Sequence, residues 1–324
     1  MLAIPVARAG VVGRAPAPIF VLNSMDANVS VIDAKTWTER SRIATGKEPH
    51  HLYLSPDERS LLVANAMSNS LTFIDPLTGA VQRTVNDIVD PYHLRFSPDM
   101  KWLVTAANRL DHVDIYRWQP ANSAQPLALV KRISAPKTPS HLYIDTNSTR
   151  LYVSLQDSDE LLAIDLATQA VVWKTKTGRM PADLYLSPDN QRLFVGLTGD
   201  KVVEVFDVGS KPAAEPKRIK RIETGDGAHA FRSLGDGQHV FVSNRVANSI
   251  SQLDIISLSV VAQLPGPSGP DCMDVTADGK LLLVTSRWAR RLSVIDIAQR
   301  KLVRQVAVGR SPHGVWTLDH APRI

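Results

Sequence analysis

Six of the nine histidines in this chain fall within one short motif that recurs along it. The copies read Pro49-His50-His51, Pro91-Tyr92-His93, Pro139-Ser140-His141, Pro181-Ala182-Asp183, Ala228-His229-Ala230, Pro270-Asp271-Cys272 and Pro312-His313-Gly314. Neutral imidazole is the commonest protein ligand for zinc, copper and iron, and three or four converging nitrogens make a metal site. Protonated imidazole instead joins arginine in holding anions. The motif also carries two carboxylates, Asp183 and Asp271, and the only cysteine, Cys272. A thiol beside a carboxylate and near histidines is a candidate nucleophile, although a lone cysteine at a strand start is more often a small buried residue.

For these groups to act together, seven distant segments must meet. The copies are spaced by 42, 48, 42, 47, 42 and 42 residues. A steady period in the forties with β-rich units predicts a propeller, one blade per repeat. In the first unit, His51 to Ser55, Leu61 to Asn65, Ser70 to Asp75 and Ala80 to Val85 read as four short strands. Runs of apolar and β-branched residues between Pro, Asp, Gly and Asn turns make antiparallel hairpins. The two longer steps carry Pro- and Ala-rich insertions at residues 118–126 and 209–216, which read as surface loops.

The ends complete the count. After Gly314 only Val315 to Leu318 reads as a strand, and before Pro49 there are three: Ile19 to Asn23, Val29 to Asp33 and Glu39 to Ala44. The expected fold is therefore all-β, a seven-bladed β-propeller of four-stranded antiparallel blades. It is closed by pairing the C-terminal strand with the three N-terminal ones. The expected layout is one domain over residues 19–319. Residues 1–18 are a disordered tail or signal-peptide remnant, and 320–324 a second tail. Met1 to Ala9 ends in an A-x-A pattern without a basic start or a long apolar run. An exported or periplasmic protein is the expectation, a cytoplasmic one the alternative. No run of 18 apolar residues marks a membrane span.

In such a meander the start of the first strand and the end of the second share a face, and the first strand borders the central channel. The motifs are expected to ring one mouth of that channel, joined by Asn65, Asn108-Arg109, Asn244-Arg245 and Ser286-Arg287-Trp288. Three readings fit. His50, His51, His93, His141, His229 and His313 supply a site for zinc, copper or iron. Arg109, Arg245, Arg287 and Trp288, with Asn108, Asn244, Asp183, Asp271 and Cys272, hold an anionic or metal-containing small ligand. Or the histidines bond the next blade's backbone, hold the ring together, and recur by duplication.

No G-x-S-x-G, P-loop, G-x-G-x-x-G or H-E-x-x-H is present. A metal-assisted hydrolase or isomerase at the same mouth is the alternative to a binding protein. Net charge is 37 − 32 = +5, part of it in Lys217-Arg218-Ile219-Lys220-Arg221 and Arg287-Trp288-Ala289-Arg290-Arg291. Such runs are solvated surface or a weak nucleic-acid face. A protein docked on the ring face is a further partner class.

The unit Leu151-Tyr152-Val153-Ser154-Leu155-Gln156-Asp157-Ser158-Asp159-Glu160-Leu161-Leu162-Ala163-Ile164-Asp165 resembles the YVTN-type β-propeller repeat. So do Val240-Phe241-Val242-Ser243-Asn244 and Leu62-Val63-Ala64-Asn65. The resemblance covers nearly the whole chain and implies a bacterial, often exported propeller. The haem-carrying propeller of cytochrome nitrite reductases is similar in repeat style, which implies haem as a ligand class to weigh. That ring has eight blades, however, and this chain has seven repeats and no C-x-x-C-H to attach a c-type haem.

Overall fold

Strands form here because each short apolar run can bury both faces between neighbouring blades. The computed structural model describes residues 15–323. The reading of the first 14 residues as tail or signal remnant lies outside the described residues. Seven four-stranded antiparallel sheets are arranged as a propeller. The first blade runs from Pro49–Leu54 at the channel through Leu61–Asn65 and Ser70–Ile74 to Val81–Asn86 at the rim. The closing blade pairs Pro312–Thr317 with Ile19–Asn23, followed by Asn28–Asp33 and Thr38–Ala44. Phe20 lies opposite Trp316 and Val21 opposite Val315, so the ring closes as its end strands require.

Burial is deepest in the middle strands of each blade and least at the rim. Leu61–Asn65 and Ile19–Asn23 are buried throughout, whereas Lys217–Glu223 at a rim buries only Ile222. The cores lie between blades. Phe20, Leu22 and Trp316 of the closing blade pack on Leu61, Val63 and Ile74 of the first. Turn chemistry follows the repeated aspartates: Asp33, Asp75, Asp165 and Asp254 each accept backbone N–H bonds two and three residues on.

Residues 319–323 cross the far ends of the inner strands. Ala321 N–H donates to Val275, and the buried Arg232 guanidinium donates to the carbonyls of Ala321 and Pro322 and to Asp274. Arg323 reaches the same Asp274. Among the described residues no helix is long and apolar enough to cross a membrane.

Candidate functional site at the histidine mouth

Each motif starts an inner strand, and in six blades that start is irregular. Pro49 pairs with Asn65 but Leu52 with Val63, three steps on one strand against two on the other. The same shift falls between Pro139 and Leu142, Pro181 and Leu184, Ala228 and Phe231, Pro270 and Met273, and Pro312 and Val315. A regular strand sends neighbouring side chains to opposite faces. A β-bulge re-aims them, and the rings of His50 and His51 consequently lie 4.8 Å apart.

The residue before every motif is left-handed. Glu48, Asp90, Thr138, Met180 and Ser311 have φ of 56, 43, 64, 52 and 50°, and glycines 227 and 269 have 78 and 61°. Five of these seven are not glycine, so the mouth stores backbone strain. Hydrogen bonds hold it in place. The carbonyls of Gly227 and Gly269 accept from the backbone N–H of Arg245 and Arg287 at 2.8 and 2.9 Å. Those bonds set both arginines over the mouth.

The six histidines form one contiguous cluster. Ring centroids are 3.6 Å apart for His50 and His313, 4.3 Å for His51 and His93, 5.1 Å for His93 and His141, and 5.5 Å for His141 and His229. Tyr92 stacks on the other side of His50 at 3.9 Å. Five of the six histidines are buried, whereas His51 and Tyr92 are half-buried. His313 Nδ1–H donates to the His50 carbonyl at 2.8 Å, which leaves Nε2 as a lone pair. Nδ1 of His50, Nε2 of His51, Nδ1 of His93 and Nε2 of His313 are buried without a hydrogen-bond partner among the described residues. Two sets of ligand atoms lie within 4.8 Å of one another: His50, His51 and His313, and His229, Asp271 and His313.

Burial sets the charge state. It holds His50, His51, His93, His141 and His313 well below the usual imidazole range, and repulsion between neighbouring rings adds to it. His229 falls to about 4, through burial first and Arg245 next. Burial opposes ionisation of the wholly buried Asp271, but Arg245 at 2.5 Å and Arg287 at 3.0 Å help hold its carboxyl well below the usual carboxylate range. His229 Nε2 lies 2.9 Å from the same carboxylate. Burial, then Asp271, pushes the Cys272 thiol well up, so it stays protonated at neutral pH and is a poor nucleophile.

The mouth thus brings together the six histidines, Asp271, Cys272, Arg245 and Arg287. Arg109 is set apart: it is held by Glu48 at 2.6 Å and Asp90 at 2.5 Å. With Asn108 it lines a separate surface depression beside Lys137 and Asp157. Asn244 is buried and donates to Ser249 and Ser251, as Asn65 does to Ser70 and Thr72, so both tie a second strand to a third. Trp288 is exposed and covers Gly269. Asp183 accepts the Phe231 N–H of the next blade, and burial pushes it up to about 6. Tyr92, named in the motif but not among the expected ligand residues, joins the cluster through its stack on His50. In the basic run, Arg218 and Arg221 are bound to the buried Glu204, which removes part of a nucleic-acid face.

Several solved structures are similar in fold. The periplasmic gluconolactonase PpgL of Pseudomonas aeruginosa superposes with a TM-score of 0.78 at 18% identity, over 95% of this chain and 99% of that one. A putative 6-phosphogluconolactonase from Bacteroides uniformis gives 0.76 at 16%, over 94% and 99%. The dihydro-heme d1 dehydrogenase NirN in complex with DHE gives 0.68 at 17%, over 94% and 75%. At these identities the likeness is one of fold. No curated protein matches the sequence. Residues 4–323 match the family model described as YNCE-like beta-propeller, and the chain belongs to that family.

Proposed function

We propose that this propeller is a binding protein for a first-row transition metal ion, held at the channel mouth by His50, His51 and His313. One observation carries the reading: these three side chains have ligand atoms within 4.8 Å of one another, and each has a buried ring nitrogen without a hydrogen-bond partner among the described residues. Unpartnered buried nitrogens are costly, and a metal bond would satisfy them. A tetrahedral zinc with bonds of about 2.0–2.1 Å holds its ligands roughly 3.4 Å apart, within reach of small ring rotations. Neutral imidazoles suit zinc, copper or iron, and Asp271 or His229 is at hand as a fourth ligand. With rings as close as 3.6 Å, a bare ion fits better than a macrocycle such as haem.

The test is metal content by mass spectrometry on protein carrying no polyhistidine tag, before and after supply of zinc, copper and iron. About one ion per chain is expected, lost in His51→Ala and in His313→Ala. Protein that takes up none of the three overturns the reading.

Two neighbours named as lactonases favour a second reading, hydrolysis at that ion with a histidine as base. Absence of gluconolactone turnover by the metal-loaded protein removes it. The periplasmic neighbour also supports export, testable by cell fractionation.

A further inference from the structure

Beside the histidines, two arginines share one carboxylate. Arg245 donates to Oδ1 of Asp271 and Arg287 to Oδ2. Neither guanidinium has another hydrogen-bond or ion-pair partner among the described residues, and Nε of Arg245 is buried with none. Two guanidiniums against one carboxylate leave one positive charge without a partner. In a buried setting such a charge is strongly unfavourable unless paired. The two arginine side chains are 19% and 29% exposed, so a solute at the mouth can reach them.

We propose that Arg245 and Arg287 form a subsite for a small carboxylate, bound over Asp271 at the mouth of the channel. The surplus of one charge selects a monoanion over a phosphate dianion. The planar forks of arginine match the two oxygens of a carboxylate. The inference goes beyond the metal reading and stands without it, because the surplus is present in the metal-free protein. Only one extension rests on that reading. A divalent ion among the imidazoles adds two positive charges to the surplus, so carboxylate binding must tighten, and by linkage carboxylate must tighten the metal.

The test is calorimetric titration of formate into chelator-treated wild-type protein, Arg287→Gln and Arg287→Lys at constant ionic strength, with inorganic phosphate as the comparison anion. Circular dichroism checks that the variants fold. Formate is expected to bind wild type near one per chain, at least tenfold more weakly in Arg287→Gln, and several-fold more weakly in Arg287→Lys, which keeps the charge but loses the fork. If Arg287→Gln does not fold, Arg287→Lys decides. Formate that binds no form, binds the variants as well as wild type, or binds more weakly than phosphate overturns the proposal. A repeat with zinc-loaded protein should tighten formate at least threefold. Failure to take up zinc removes the metal reading and leaves the metal-free titration to decide this one.

Discussion

Lowering the pH of the metal-free protein from 7 to 5.5 should destabilise it severely. The folded chain keeps six clustered histidines uncharged, while an unfolded histidine titrates near its ordinary 6.5. Below that value the unfolded state binds more protons than the folded one. Stability is therefore complete above about pH 7 and is lost as pH falls, until the folded-state values are passed; for His229 that point is about 4. For one such histidine, linkage gives a loss of a little over ~1 kcal/mol between pH 7 and 5.5, and six give on the order of 7 kcal/mol. Asp183 acts in the opposite sense. Its folded pKa is raised to about 6, so the folded state takes up its proton first and gains stability as pH falls. That gain offsets somewhat less than about 1 kcal/mol over the same interval. His320, lowered to about 4 by burial, adds a loss of the same size as one mouth histidine, so the net loss is on the order of 8 kcal/mol, comparable to the whole stability of a typical domain.

The assay is thermal unfolding in chelator at half-unit steps of pH. The midpoint should fall by roughly 10–20 °C between pH 7 and 5.5, given about 2 °C or slightly more per kcal/mol for a chain of this size. Replacing His93 and His141 together by Asn removes two of these titrating histidines and should cut the loss by about a third. A midpoint that moves by less than about 3 °C, or a pH slope unchanged in the double variant, would mean that the histidines carry charge in the folded state, and the reasoning fails.

Three further outcomes follow from the ring and its mouth. Deleting residues 312–324 removes the inner strand of the closing blade, buried Val315 and Trp316, and two carbonyl acceptors of Arg232. It should cost more than about 5 kcal/mol in urea unfolding, and a full-length midpoint in the truncated chain would break the closure account. Cys272 is half-buried and its thiol is pushed up by burial and Asp271, so at pH 8 it should react with a disulfide reagent at least tenfold more slowly than a free thiol. Labelling at the rate of a free thiol contradicts that. Met180→Gly relieves a left-handed residue whose side chain is exposed, and should stabilise by about 0.5–1 kcal/mol; destabilisation counts against strain there.

The ring was legible in the sequence, and the reason is physical. A period near 42 residues, turn residues at fixed offsets and one spare strand against three leave a closed ring as the only arrangement without exposed edges. That the histidines share a mouth followed from strand direction alone. Their mutual contact did not. Strict alternation sends His50 and His51 to opposite faces, and nothing in Pro49-His50-His51 announces the bulge that turns both inward. The bulge belongs to the pairing between two strands and so is not written in either one.

Arginines at one repeat position take different partners in different blades. Arg109, Arg245 and Arg287 all follow a second strand, and the spacing gave no reason to separate them. What separates them is the left-handed residue before the motif. In the first two blades it is Glu48 and Asp90, whose carboxylates take Arg109 out of the mouth. In the blades carrying Arg245 and Arg287 it is Gly227 and Gly269, which have no side chain to offer. With no partner at that position, both arginines turn inward to Asp271, the single acid in the ring of first variable positions. Divergence at one strained backbone position thus decides which cations balance the rim and which leave surplus charge at the mouth. Duplication alone, which would repeat the same partner in every blade, does not produce that asymmetry.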